Sequence, residues 1–407
     1  MKVLYLEHPQ VDLNAYNIYK GLCEVLGEEN VIDFPRKIVY RGEIDTYDSP
    51  YISELRKEHV QAGRVPYGIP PFSPGEDLIS GWPDISQTHT HFTPASSHDP
   101  GGYPMVGLST KDRNYTEDEI VRMLMQNEFA FIVLSTSHRV PTIALARLRD
   151  AVGGLSKLPP IIYTDHGERD ELNEHWAHVF NPAMIFKCVL TEKTQTSLNK
   201  KYGWNLLPLP NSNFVIGNEM NSYFKLGKNG YEPHTGLNFT EESDYYGKTK
   251  IYDIYHQFAG MENRAFIVDV MNRYCKNNNL QTYFGTIHYS LYLKIMANSK
   301  IVITHRGTCK ETLRYWDISL FPTLMICDKT MGCIHPNAFE DGKNAIFYED
   351  NESTMESELI DKCNYYLRHD EERNKIAIAG MEHLRKYHTN RARAEWMLSK
   401  IKERGIF

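Results

Sequence analysis

The sequence predicts an α/β protein made of two consecutive doubly wound halves, and three observations lead there. Its 407 residues exceed one ordinary core and suit two domains. Short apolar runs alternate with segments whose apolar residues recur at helical spacing, the pattern of a mostly parallel sheet covered by helices on both faces. That rhythm is broken by a Pro/Gly-dense stretch at about 40–110 and by a polar, unperiodic stretch near 205–245. The expected organisation is a first domain at 1–215 with an insertion at about 40–110, a second at 245–390, and a closing helix at 391–407.

In the first half, MKVLYLEH reads as a strand that breaks into a polar loop at His8. A helical pattern through Tyr16, Tyr19 and Leu22 follows, then VIDF at 31–34 as a strand. The insertion, with VPYGIPPFSPGED and SGWPDISQTHTHFTPASSHDPGGYP, holds too much proline and glycine for central strands. Long loops of this kind serve as lids or binding loops. TEDEIVRMLMQN is an amphipathic helix whose Thr116 and Glu119 have capping-box spacing. FAFIVLST is a buried strand, 140–152 a helix, PPIIYTDHGERDE a strand ending in a polar loop, and MIFKCVLTEK another strand.

The second half repeats the logic. KIYDIYHQFAG is strand and glycine turn, ENRAFIVDVMNRYCKNN a helix, QTYF a strand, HYSLYLKIMANS a helix, and KIVITHRG a strand ending at a glycine loop. KETLRYWDISLF is expected to be a helix, and TLMICDK and NAIFYED strands. Three helices close the chain: ESELIDKCNYYLRHD, EERNKIAIAGMEHLRKYH and NRARAEWMLSKIKERG.

Composition narrows the function. Hydrophobic residues at 41% and charged residues at 24% are ordinary for a globular protein, and a formal charge of −7 leaves no electrostatic footprint for non-specific nucleic-acid binding. The first apolar run is far shorter than a signal-peptide core, and no stretch approaches the roughly 18 apolar residues of a membrane span. Seven scattered cysteines form no C-x-x-C pair, so a reducing cytoplasm is the expected setting. His89, His91 and His98 lie on a loop without fixed ligand geometry, so no metal site is expected. Phosphate-loop and nucleophile-elbow motifs are absent, which sets aside kinase and hydrolase readings.

From about 249 to 395 the chain resembles the C-terminal domain of the CgeB/YkvP-like glycosyltransferases. YDIYHQFAGMENRAFIVDVM is similar to the family's strand, glycine turn and helix-opening arginine. MANSKIVIT looks like the strand before its donor loop, and ETLRYWDISLFPTLMICDK resembles its R-x-x-E signature. NAFEDGKNAIFYED resembles its glycine loop and strand, and RNKIAIAGMEHLRKYHTNRARAEWML its closing helices. The N-terminal half matches in outline at PPIIYTDHGERDEL and IFKCVLTEK. The resemblance implies a GT-B fold, two Rossmann-like domains facing across a cleft with C-terminal helices. The implied reaction is metal-independent transfer of a sugar from a nucleotide-sugar donor, with no cofactor, to an unidentified acceptor.

Two departures are visible. Asp317 stands where the family has glutamate, and Phe321-Pro322 stand where a small residue and glycine are usual. They motivate a second reading, a GT-B protein that binds nucleotide or glycan without turnover. A third, suggested by the use of this architecture for modifying hydroxymethylated pyrimidines in phage DNA, makes modified DNA the acceptor. Lys200, Lys201 and Trp204 are its candidate contacts, against the plainer reading of a solvated turn.

A diphosphate calls for arginine, lysine and glycine loops, a ribose for a carboxylate, and an acceptor hydroxyl for a base. THRGTCKETLR fits the first demand through Arg306, Gly307, Thr308, Lys310 and Arg314, with Thr308 read as the cap of the next helix. The plainer alternative is a capped helix with solvated basic side chains. Asp317, one turn after Arg314, is the candidate for the ribose hydroxyls, and Arg264 for phosphate. Ligands in open α/β sheets bind beyond the carboxyl ends of the strands, which brings in Ser135, Ser137, His138, Asp165, His166 and Glu168. Asp165 and His166, with Glu168 in reserve, are the candidate base or acceptor clamp, and His8, Ser137 and His138 are candidate acceptor contacts.

Overall fold

The computed structural model describes residues 1–7, 13–35, 115–135, 140–167, 170–210, 212, 250–256, 262–283, 289–307, 311–329, 333–351 and 353–407. The insertion at 40–110 and residues 213–245 lie outside them, as do His8, Ser137, His138, Glu168, Thr308 and Lys310.

Strands β1 (Lys2–Glu7), β2 (Val31–Phe34), β3 (Phe129–Ser135), β4 (Ile161–Asp165), β5 (Met184–Lys187) and β6 (Leu206–Pro208) form one sheet. Their order is β2-β1-β3-β4-β5-β6 and every pairing is parallel. The strand order reverses between β1 and β3, where Glu7 is paired in register with Ser135. A second sheet of β7 (Tyr252–Tyr255), β8 (Ser299–Thr304), β9 (Leu324–Asp328) and β10 (Ile346–Tyr348) runs in the order β10-β9-β8-β7, again parallel throughout. Parallel ladders need both faces covered, which is why these strands are continuous apolar runs.

The helices are α1 (Leu13–Leu26), α2 (Glu117–Met125), α3 (Val140–Val152), α4 (Glu174–Phe180) and α5 (Glu192–Tyr202) in the first half. In the second they are α6 (Glu262–Asn277), α7 (Tyr289–Ala297), α8 (Arg314–Ile318), α9 (Met355–Arg368), α10 (Asp370–Tyr387) and α11 (Asn390–Glu403). Helix α2 opens with the expected capping box: the Glu119 amide donates to Thr116 Oγ1 at 3.3 Å and the Thr116 amide to Glu119 Oε2 at 2.8 Å. Thr191 caps α5, and Gly203 closes it at φ 69°, a left-handed angle that a side chain would strain.

The period-2 alternation of the strands sorts the apolar residues into three clusters. Leu4, Leu6, Ile132 and Leu134 face one side with Ile120, Leu145 and Trp176. Ile301, Ile303, Leu324 and Ile326 lie on the far side of the second sheet with Ile267 and Met355. The remaining strand faces, Val3, Tyr5, Phe131 and Val133 of one sheet and Val302, Met325 and Cys327 of the other, join a common cluster. Ala394, Met397, Leu398 and Ile401 of α11 complete it. The last helix thus returns to the first half, packing along α1, with Phe407 stacked on Phe131 at 5.7 Å.

Two elements differ from expectation. Gln281, Thr282 and Tyr283 are not a strand, although the Gln281 carbonyl accepts from the Asp253 and Ile254 amides at 2.8 and 3.4 Å. Of the helix expected across KETLRYWDISLF the described residues form Arg314–Ile318, with Leu313 at its N-cap and no side-chain cap, while Thr308, read as a cap, lies outside the described residues. Glu311 ahead of it is drawn into the seam between the halves: its carboxylate accepts from Trp316 Nε1 at 2.9 Å and from Cys188 Sγ at 3.4 Å. Pro322 lies just beyond the helix and cannot prolong it.

Candidate functional site

The carboxyl ends of the two sheets approach each other. Cys188, directly after β5, reaches Glu311, and the Ile334 amide, beyond β9, donates to the Leu190 carbonyl at 2.7 Å. Asn14 of α1 also meets Cys188, Nδ2 to Sγ at 3.5 Å. Loops at these ends carry the chemistry-bearing side chains of both halves.

On the first sheet, Asp165 is 3% exposed and fully engaged. Its Oδ1 accepts from the Gly167 amide at 2.7 Å and from Lys187 Nζ at 3.2 Å, and its Oδ2 from the Asn173 amide at 3.1 Å. Lys187 is itself wholly buried and also donates to the Gly167 carbonyl at 3.1 Å. This ion pair shapes the turn on which His166 and Gly167 sit. A carboxylate so committed is suited to holding a loop rather than to accepting a proton. The buried Tyr163 hydroxyl, 3.4 Å from Asp165 Oδ2, is held well above the ordinary phenol value by burial and by that carboxylate.

His166 is 6% exposed and lies beside Ser135. Its Nε2 is 2.7 Å from Ser135 Oγ and 3.1 Å from Thr164 Oγ1. Ser135 Oγ in turn is 2.8 Å from the Tyr5 hydroxyl, which reaches the Ala15 carbonyl at 2.6 Å. These groups converge where the strand order reverses, the position at which doubly wound sheets bind ligands.

On the second sheet the loop after β8 is clamped from behind. Arg264 of α6 donates from Nε to the Arg306 carbonyl at 2.9 Å and from Nη2 to the His305 carbonyl at 3.1 Å. A Cβ on Gly307 would sit 2.9 Å from Arg264 Nη2, so glycine is what lets the pinned guanidinium lie this close. The Arg306 amide donates to Asp328 Oδ1 at 3.1 Å, and its side chain pairs with Asp350. Asp328 also accepts from the Tyr315 hydroxyl at 2.5 Å. The Tyr348 hydroxyl is 3.1 Å from the Thr304 carbonyl and 2.9 Å from His305 Nδ1. Burial pushes the His305 pKa down, Arg306 and Arg264 add to it, and Asp328 opposes.

Arg314 and Asp317 meet through Tyr292 of α7: Arg314 Nε donates to its hydroxyl at 3.3 Å, and the hydroxyl lies 3.4 Å from Asp317 Oδ2. Asp317 is 1% exposed, so its carboxylate sits behind Tyr292. Of the sequence-derived residues, the structure gathers His166 and Asp165 on one sheet edge, Arg264, Arg306 and Gly307 on the other, and Arg314 with Asp317 on α8. It adds Tyr5, Lys187, Glu311, Asp328, Asp350 and Tyr348. A signal for Asp328 was present in the acidic residue ending TLMICD; Lys187 inside MIFKCVL carried none.

Trp204, a candidate base-stacking residue, is already in a stack with Tyr202 at 4.3 Å and His178 at 4.9 Å, and Lys201 lies over the Tyr202 ring. Among the described residues no group of three or more His, Cys, Asp or Glu is placed to hold a metal ion. Nor is any described helix long and apolar enough to cross a membrane.

Residues 254–399 match a family model described as glycosyl transferase-like. Two solved structures resemble the chain over almost its whole length. Anabaena HepE, crystallised with UDP-glucose, is 11% identical with a TM-score of 0.50, covering 99% of this chain and 100% of that one. A glycosyltransferase from Rickettsia africae is likewise 11% identical with a TM-score of 0.50, covering 99% and 98%. No curated protein matches. With both sheets parallel, their carboxyl ends opposed and the last helix returned to the first half, the chain adopts the GT-B fold, and most of its second sheet lies in the stretch that matches the glycosyl transferase-like model.

Proposed function

We propose that the protein is a glycosyltransferase that takes a sugar from a nucleotide-sugar donor and passes it to an acceptor hydroxyl, without a metal at the chemical step. The observation that carries the reading is the match to a glycosyl transferase-like model at 254–399, where the loop after β8 carries Arg306 and Gly307 at the carboxyl end of the second sheet. Cleaving the anomeric bond leaves negative charge on the departing diphosphate and positive charge on the sugar. Arg306 is the donor-side cation for the first, in place of its partner Asp350, while Arg264 holds the loop in shape. Arg314 and Asp317, joined through Tyr292, order the part of the site assigned to the ribose. His166 is the base for the acceptor hydroxyl, on a turn fixed by the Asp165–Lys187 pair.

HepE was crystallised with UDP-glucose, which makes uridine diphosphate the first ligand to test. Calorimetry with UDP, GDP, ADP, CDP and dTDP is expected to show one tight binder, weakened at least tenfold in Arg306→Ala and Asp317→Ala. Folded protein that binds none of the five ends the donor-site assignment and favours a GT-B protein that has lost its donor.

A further inference from the structure

The loop after β8 sets a buried imidazole among charges that a bound anion would unbalance. His305 is 2% exposed, and among the described residues ionisable groups from several elements face it. Its Nε2 lies 3.8 Å from Asp350 Oδ1, just beyond β10, and its Nδ1 lies 3.9 Å from Asp328 Oδ1, at the end of β9. The Tyr348 hydroxyl of β10 is 2.9 Å from Nδ1, while Arg306 on the loop and Arg264 of α6 bring positive charge. The two carboxylates and the two guanidiniums offset one another, and burial keeps the ring between them neutral. The carboxylates are held differently. Asp328 is fastened to the fold by the Arg306 amide at 3.1 Å and the Tyr315 hydroxyl at 2.5 Å. Asp350, with its side chain 8% exposed, is held by the Arg306 side chain, which is 33% exposed and so lies on the outer side.

We infer that His305 takes up a proton when the diphosphate of a nucleotide sugar engages Arg306, and replaces that guanidinium as the cation beside Asp350. The inference rests on the proposed function in taking Arg306 as the donor-side cation. A diphosphate at Arg306 adds negative charge near Asp350 and draws its cation outward, and a buried carboxylate left without a cation is costly. The imidazolium finds an acceptor for each of its protons. Asp350 Oδ1 faces Nε2 and needs only a short approach to accept from it. The Tyr348 oxygen can accept from Nδ1, because its own proton goes to the Thr304 carbonyl at 3.1 Å. An imidazole ordinarily titrates at about pH 6.5 and an aspartate at about pH 3.9, so of the two the ring takes the proton. That proton comes from solvent and no covalent bond in the protein changes. His305 thereby acts through Asp350 and Arg306, and its charge offsets that of the diphosphate as it departs.

One arm of the test needs no ligand. Proton–nitrogen correlation NMR on histidine-labelled full-length protein follows the ring from pH 5.5 to 8, with His305 assigned by its loss in His305→Gln. Wild-type His305 is expected to stay neutral across that range. In Arg306→Gln, which leaves Asp350 without its guanidinium, the ring is expected to titrate inside it, an upward shift of about one unit or more. Arg306→Gln/Asp350→Asn is expected to restore the neutral ring. A ring that stays neutral in Arg306→Gln overturns the inference. The other arm is calorimetry at pH 6.5, in buffers of different ionisation enthalpy, with UDP-glucose or the glucose ester of whichever of the five diphosphates binds tightest. The diphosphate of such an ester does not titrate near this pH, so any proton taken up belongs to the protein. Binding is expected to take up about one proton in wild type and none in His305→Gln. Uptake that persists in His305→Gln puts the proton on another group and overturns the inference, as does binding without uptake. Folded protein that binds none of the five, with the ring titrating as expected in Arg306→Gln, refutes the proposed function alone. Tight binding without proton uptake refutes this inference alone.

Discussion

Asp165 shows how a residue legible in the sequence changes meaning once its partner is known. A polar residue ending a buried strand at the carboxyl edge of a parallel sheet points to a site. The register that sets Asp165 opposite Lys187 points to a buried charge pair that shapes the site from beneath. Removing one member leaves the other charged and buried, which costs about 3–5 kcal/mol. Lys187→Met is therefore expected to lower the urea unfolding free energy by roughly that amount, with part regained in Lys187→Met/Asp165→Asn. A single variant as stable as wild type shows that water reaches the pair and the argument fails. At His166 the neighbours were not legible, because Ser135 Oγ at 2.7 Å and the Tyr5 hydroxyl behind it come from strands 130 positions apart in the chain.

At the scale of elements, local signals served well where neighbours in sequence supply the energy. The capping box of α2 and the limits of α3 follow from side chains and periodicity within a few residues. The short α8 did not, since Glu311 is held by a cysteine 123 positions away. The crossing of α1 and α11 was likewise invisible. Gly21 lies so close to α11 that a Cβ would be 2.1 Å from the Asn390 carbonyl oxygen, which is backbone and cannot swing aside. Gly21→Ala must push the helices apart, and overpacking of this kind costs roughly 1–3 kcal/mol. A melting temperature several degrees lower is the expected outcome. A rise would mean that the crossing has room and that the gain in helix propensity prevails.

Across the whole molecule, the seam between the halves is lined by histidines kept neutral. Burial beside Arg393 lowers His335 to about 3, and burial with Arg393, His383 and His335 lowers His388 well below its ordinary value. His388 Nδ1 accepts from Arg393, Trp316 packs on the His388 ring at 4.5 Å, and Glu311 and Cys188 are near enough to Arg393 to offset part of the cost of its burial. The unfolded chain takes up protons near pH 6.5 and the folded chain does not, so this stability is complete above pH 6.5 and is lost as the pH falls. The slope approaches about 1.4 kcal/mol per pH unit for each histidine, flattening for His335 near pH 3. Denaturant midpoints measured from pH 7.5 to 4.5 should fall steadily, and fall less in His335→Phe. A flat profile would show that the seam admits water.

The alternation of strands and helices and the parallel sheets were readable in the order of residues, because periodicity and capping are short-range properties. The partners of the candidate residues were not. Arg264 on the Arg306 loop, Lys187 beneath Asp165, Tyr5 behind Ser135 and the last helix on the first depend on strand order and register. Those are set by packing between segments far apart in the chain, and a buried polar group takes its role from whichever of them supplies its hydrogen bonds.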